Sequence, residues 1–364
     1  MPQCCARQRR LALVAACLLA VFDLAACSVG ELKSAVTTGK KAATTTGLAA
    51  GYTRPGEPEV LVVDEAITGG RQAIGGVAGE FARVLVGEGN TVSFINPVTV
   101  GGVRDQLYIA DAGARAIYRY DLTNKTIRTL GQAGGQFMGE PAGLFVETDL
   151  SFYVADPTGK QVLYFDPEGN FVRRYSDLAN LSRPVDVVFD ADRNQVYVAD
   201  GTYSHIIVFS KFGQALFAVG SRGRGPGKFR TITALARGKD SLFVADRLEL
   251  PLQEIDLATG SFRYSFGQGQ IVWPTAIVLD KEQRLFVSDR SDNTIKVFDD
   301  VRLIATIGGT GSAPGRFRLI ADMWMSEQGV LYVADSMNRR IQVFRVISEN
   351  TNQIPTESIQ PSVQ

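Results

Sequence analysis

Two sets of side chains in this sequence have types and spacing that could do chemistry, and both are ionic rather than nucleophilic. Aspartate closes a short apolar phrase six times, at Asp111, Asp156, Asp200, Asp246, Asp289 and Asp335. A ring of carboxylates could hold a metal ion. An aspartate placed where a strand gives way to a turn instead accepts backbone N–H bonds, and its recurrence in every unit argues for scaffold, since a functional site needs asymmetry. That asymmetry appears earlier in each unit, where the equivalent positions hold Thr99, Gly143, Asp186, Thr233, Ala276 and Asp322. If the units close into a sixfold ring, Asp186 and Asp322 stand three units apart and face each other across the channel mouth. Such a pair is half of a site for a divalent cation such as calcium, or a pair of hydrated carboxylates capping strand ends.

The second set is basic and lies in the glycine-rich connections between units. Arg222, Arg224, Lys228 and Arg230 fall within nine residues of one another with no acid between them, and Arg316 and Arg318 occupy the corresponding stretch two units later. These six are the candidate ligand-binding residues. Arg183 adds to the same set, against Glu140 and Asp177 as the acids of those connections. The turns expected at the other ends of the strands run acidic, with Asp190, Asp192, Asp280 and Glu282 among them. A charge run is most often a solvated face. Unequal faces nevertheless assign a docking side, because loops on a rigid scaffold are where binding residues tend to sit.

The remaining inventory argues against catalysis. The chain has one histidine, His205, so no Ser/His/Asp arrangement can be built without a located nucleophile. All four cysteines (Cys4, Cys5, Cys17 and Cys27) lie in the first 27 residues, which leaves the rest without a thiol for a disulfide, zinc site or nucleophile. Lys+Arg and Asp+Glu both total 38, so the strong basic field of a general nucleic-acid binder is missing.

The elements that position these residues come from a repeat. The intervals between the six phrase-ending aspartates are 45, 44, 46, 43 and 46 residues. Each unit reads as four short strands rich in Val, Ile, Phe and Tyr, separated by turn clusters such as Asp166-Pro167-Glu168-Gly169. Six four-stranded antiparallel units predict an all-β, six-bladed β-propeller. The sixth unit ends near Ile347 without an apolar fourth strand, so an N-terminal strand must close the last blade. Glu59 to Asp64 is the first candidate for that strand and Arg83 to Val86 the second.

The phrase Leu331-Tyr-Val-Ala-Asp335 with the turn leading to Arg340, and linkers such as Gly308 to Phe317 and Gly220 to Phe229, resemble the NHL repeat from about Pro97 to Val346. Blade four departs from the pattern, since Arg247-Leu-Glu-Leu-Pro251 stands where the family has an Asn-x-Arg turn. Amidating lyases on this propeller rely on several histidines around a metal, which this chain lacks. Lactonases on six-bladed propellers use Glu, Asn and Asp around a divalent ion, a class that Asp186 and Asp322 keep open.

The N-terminus carries Arg7, Arg9 and Arg10 and then an apolar run from Leu11 to Phe22, too short to span a bilayer and arranged like a secretory signal. Leu24-Ala-Ala-Cys27 resembles the bacterial lipobox, which implies lipidation of Cys27, and Ser28 after it implies sorting to the outer membrane. The expected organisation is a signal peptide over residues 1–26, a flexible tether over 27–57, the propeller over 58–347 and a disordered tail over 348–364. Together these readings predict a monomeric, lipid-anchored envelope protein facing the periplasm. It would bind an envelope protein or anionic polymer and no nucleic acid. The alternatives are a metal-dependent hydrolase of lactonase type and a purely structural propeller.

Overall fold

The computed structural model describes residues 60–72, 91–130 and 140–347. Cys27, the tether, the C-terminal tail and the segment Arg83 to Val86 lie outside the described residues.

The strands follow from the apolar runs. The second strand of each blade is buried on both faces, as in Gln195–Asp200 and Val330–Asp335, because each blade is covered by a neighbour on either side. Blades one to six begin with the inner strands Pro97–Val103, Gly143–Val146, Pro184–Asp190, Ile232–Arg237, Pro274–Leu279 and Ile320–Met325. These six touch one another in a closed ring around a central channel. Each leads outward through antiparallel partners, as in blade three, where Pro184–Asp190 is followed by Gln195–Asp200, His205–Ser210 and Ala215–Val219. One apolar cluster fills each seam between successive blades, including the seam between blades six and one, where Tyr332 and Ile341 meet Val100 and Leu107. The chain is thus an all-β, six-bladed β-propeller.

The last blade is closed by an N-terminal strand, Leu61–Ile67, paired antiparallel with Arg340–Val346 so that Leu61 stands opposite Val346 and Ile67 opposite Ile341. This is the first of the two expected segments, shifted a few residues toward the C-terminus. The chain then crosses to blade one, where Gly69–Gln72 pairs parallel with the outer strand Thr126–Leu130 and antiparallel with Thr91–Ser93. Blade one therefore carries two strands that the repeat does not announce. Gly69 is required there: its φ is +148°, and a Cβ would run into the Val92 carbonyl. One segment thus fastens both sides of the seam where the ring closes.

Val60 and Leu61 are almost fully buried in the cluster between blades five and six. Leu61→Ala should cost about 2–5 kcal/mol, since it removes core contacts without room to collapse. Deleting residues 57–72 should cost more, because it also exposes the paired edge of Arg340–Val346. Thermal melting checks both, and an unchanged midpoint in the deletion would refute terminal closure.

Candidate functional site

The antiparallel blades put the inter-blade linkers and the turns between second and third strands on one face of the ring. The turns after first and third strands lie on the other. The phrase-ending aspartates hold the linker face together. Asp200, fully buried, accepts the backbone N–H groups of Ser182 and Arg183 from the incoming linker and of Thr202 and Tyr203 from its own turn. Asp111 does the same for Ile95, Asn96 and Ala114, and Asp289 for Val272, Trp273 and Ser291. Their role is scaffold.

The linkers bearing the predicted cations are themselves fixed. Ser221–Arg222 pairs parallel with Lys228–Phe229, and Phe229 is fully buried. The buried Gln253 clamps this linker, accepting the Gly227 N–H at 3.0 Å and donating to the Lys228 carbonyl at 2.8 Å. Gln342 repeats the clamp on Gly315 and Arg316. Both glutamines lie seven residues after a phrase-ending aspartate, a spacing that could have found them in the sequence.

The structure distributes the six candidate cations unequally. Arg222, Lys228 and Arg318 are exposed, and Arg230 is half-buried, its backbone N–H held by Asp246. Arg224 is not without an acid: Glu249, from the atypical turn of blade four, lies 3.5 Å away. Arg316 turns back on its own linker and donates to the Gly308 carbonyl at 2.8 Å. Sequence reasoning missed further cations of this face, because they follow phrase-ending aspartates rather than sit in linkers. Arg247 and Arg290 enclose the Trp273 ring, with guanidinium carbons 3.5 and 4.8 Å from its centroid. Among the described residues no carboxylate oxygen lies within 4 Å of the charged nitrogens of Arg183, Arg222, Arg230, Arg247, Arg290 or Arg318.

The opposite face is acidic by count and partly neutralised by pairing. Asp190 is fully buried between Arg193 at 2.9 Å and Arg237 at 3.1 Å, and Asp280 binds Arg284 at 2.7 Å. Glu147 takes Lys211 at 3.0 Å and the Tyr153 hydroxyl at 2.9 Å. Other acids of that face, Asp105, Asp149, Glu168 and Glu327 among them, make no ion pair among the described residues, so the two faces keep unpaired charge of opposite sign.

Asp186 and Asp322 line a channel cavity of about 200 Å³ together with apolar side chains such as Val100, Leu235, Ile277 and Trp324. Each inner strand but that of blade two has a register shift near its start. Beyond that shift the Asp186 carboxylate accepts the N–H of Val187 and, across the seam, that of Leu235 at 2.8 Å. Asp322 likewise accepts the Met323 N–H, and across its seam the Thr99 hydroxyl at 2.5 Å and the Val100 N–H at 3.0 Å. Gly143 lets Asp186 in, since a Cβ there would lie 2.6 Å from its carboxylate. Desolvation in the channel, then the charge of Asp322, push the Asp186 carboxyl up to about 8. Desolvation raises Asp322 to about 6 against the lowering effect of its hydrogen bonds. As cation ligands the two would supply at most four oxygens, whereas calcium takes six to eight. Among the described residues no group of three or more His, Cys, Asp and Glu converges. His205 is half-buried, with Nε2 2.7 Å from the Asn180 carbonyl.

No protein-family profile matches the chain, and no curated protein matches it. Among solved structures it is similar to Kuenenia stuttgartiensis hydrazine synthase, with a TM-score of 0.50 and 12% identity over 72% of this chain and 98% of that one. At that identity the likeness concerns the propeller fold alone.

The channel pair makes stability depend on pH. A folded-state pKa raised above its unfolded value of about 4 means that the native protein binds more protons between about pH 4 and pH 8. The stability contributed by Asp186 is therefore full below that window and is lost as pH rises through it. Wild type should lose ground against Asp186→Asn across this range, the gap in melting temperature changing by several degrees. Parallel melting curves would show that Asp186 does not titrate there.

Proposed function

We propose that this chain is a non-catalytic binding module of the cell envelope, whose linker face docks an anionic partner. The observation that carries this reading is the set of arginines without an ion-pair partner on one face of the ring, against an acidic opposite face that pairs only part of its charge internally. Such a face speeds encounter with an acidic surface or anionic polymer and selects against cationic ones. The repeated phrase and the glutamine-clamped Pro-Gly linkers support placing the propeller with NHL-type proteins.

Attachment through a lipidated Cys27 would hold this module at the membrane, where acyl chains contribute about 0.8 kcal/mol per buried methylene. Among the described residues no helix is long and apolar enough to cross a membrane. The convergence of Asp186 and Asp322 in the channel favours a second reading, a divalent-cation site serving a hydrolase of lactonase type.

Reversing Arg183, Arg222 and Arg318 to Glu should slow association with envelope partners and remove the salt sensitivity of binding, which comes from screening over about 10 Å at 0.1 M salt. Folding should hardly change, because exposed substitutions usually stay within about 0.5 kcal/mol. Capture from solubilised envelopes by wild type and triple variant, with circular dichroism on both, measures this. Equal recovery at low and high salt would eliminate the linker face. A fatty-acid analogue should label wild type and not Cys27→Ala; an unlabelled wild type would refute the anchor. Adding calcium should leave the melting temperature unchanged. A saturable rise that Asp186→Asn and Asp322→Asn abolish would instead support the cation site.

A further inference from the structure

The exposed apolar side chains of the described residues are not scattered. Of the large ones, Ile95, Leu178, Tyr203, Leu248, Val272 and Met337 all lie on the linker face. Phe212 and Val301 alone lie on the opposite face, and Val172, Leu216 and Phe217 belong to outer strands. The exposures are large, reaching 93% for Leu178 and 66% for both Val272 and Met337. The positions are structural equivalents: Ile95 and Val272 donate their backbone N–H to a phrase-ending aspartate, and Leu248 and Met337 each stand two residues after one. The backbone beneath them is therefore fixed, and their side chains are held outward by the scaffold.

These side chains interleave with the uncompensated arginines. The densest part is the seam of blades four and five, where Leu248 follows Arg247 and Val272 precedes Trp273, itself enclosed by Arg247 and Arg290. Stacking on the indole fixes the two guanidinium planes and leaves their N–H edges available for bidentate bonds to carboxylates. Trp, Arg and apolar side chains grouped around a rigid centre are the composition of a protein-binding hot spot. A polysaccharide or polyphosphate would use the cations and gain little from Leu248, Val272 or Met337.

We propose that the linker face is a protein-docking surface centred on the seam of blades four and five. Its partner would be a polypeptide that presents carboxylates beside apolar side chains. This rests on the binding-module reading and narrows it to one class of partner.

The test uses the full chain in detergent and three probes of matched negative charge: peptides alternating Glu with Leu or Phe, peptides alternating Glu with Ser, and heparin. Wild type should bind the Glu/Leu and Glu/Phe peptides about tenfold or more tightly than the Glu/Ser peptides. Leu248→Ser with Val272→Ser should erase that preference and leave Glu/Ser and heparin binding unchanged. Arg247→Ala with Arg290→Ala should weaken all three. Both pairs are solvent-facing, and matched melting temperatures confirm folding. Equal affinity for the two peptide kinds, or heparin binding that exceeds both and ignores the Ser variants, would overturn the protein-docking proposal while leaving an anion-binding face. Failure of wild type to bind any probe would overturn both readings.

Discussion

The interaction on which the rest of this propeller depends is the buried carboxylate at the end of each second strand. Taking a carboxylate out of water is expensive unless its oxygens are satisfied. Here three or more backbone N–H groups converge on Asp111, Asp200, Asp246 and Asp289, while side-chain donors complete Asp156 and Asp335. The backbone donors come from the incoming linker and from the following turn, two stretches with no regular partner of their own. Where both sets of donors are present, as in blade three, the aspartate thus binds the entry and the far turn of the blade to one point. Seam packing by itself would hold the strands and leave the linkers loose. With the carboxylates in place, the linkers they hold are tied to the core, and a side chain beside a donor N–H, such as Val272, starts from a fixed base.

Satisfaction of strand edges accounts for the channel as well. The inner strands form the free edge of each blade, and their outward N–H groups have no ladder partner. Asp186 and Asp322 supply acceptors across two seams that lie opposite each other, from blade three to blade four and from blade six to blade one. A third seam, between blades five and six, is bridged by the Thr275 hydroxyl donating to the Ile320 carbonyl. Carboxylates cost more than a hydroxyl in this position, because desolvation opposes the ionisation of both and the charge of Asp322 further opposes that of Asp186. Their presence in only two blades is the main departure from sixfold equivalence inside the ring.

The architecture was legible in the sequence because a repeat displays the same physical solution six times, and Asp111 to Asp335 mark its period. The need for a closing strand followed from counting strands in the last unit. Its extent did not, since the apolar residues Val60 to Val63 end before the pairing does and the bulge after Val63 shifts the register. The two added strands of blade one were invisible because Gly69 and Gly70 carry no alternation. Charge was legible by count but not by pairing. Asp190 and Arg237 are distant in sequence and meet only across a seam, as do Arg224 and Glu249 across the face. The candidate cations were found in linkers because glycine makes linkers conspicuous, while Arg247 and Arg290 escaped notice inside the repeating turn.

The formal balance of 38 basic and 38 acidic residues therefore conceals a polar molecule. Net charge counts side chains, whereas the field outside a protein depends on which of them remain uncompensated. Ion pairs such as Asp190 with Arg193 and Arg237, or Asp280 with Arg284, cancel locally and leave little potential beyond their own face. The linker face has acids too, but the six phrase-ending aspartates lie beneath its surface with their oxygens committed to backbone N–H groups and, in blades five and six, to Lys296 and Arg340. Guanidinium and hydrocarbon are prominent among what remains toward solvent, beside a few acids such as Glu140 and Asp177. The carboxylates that fix the linkers from below thus leave a face that is rigid, basic and partly apolar.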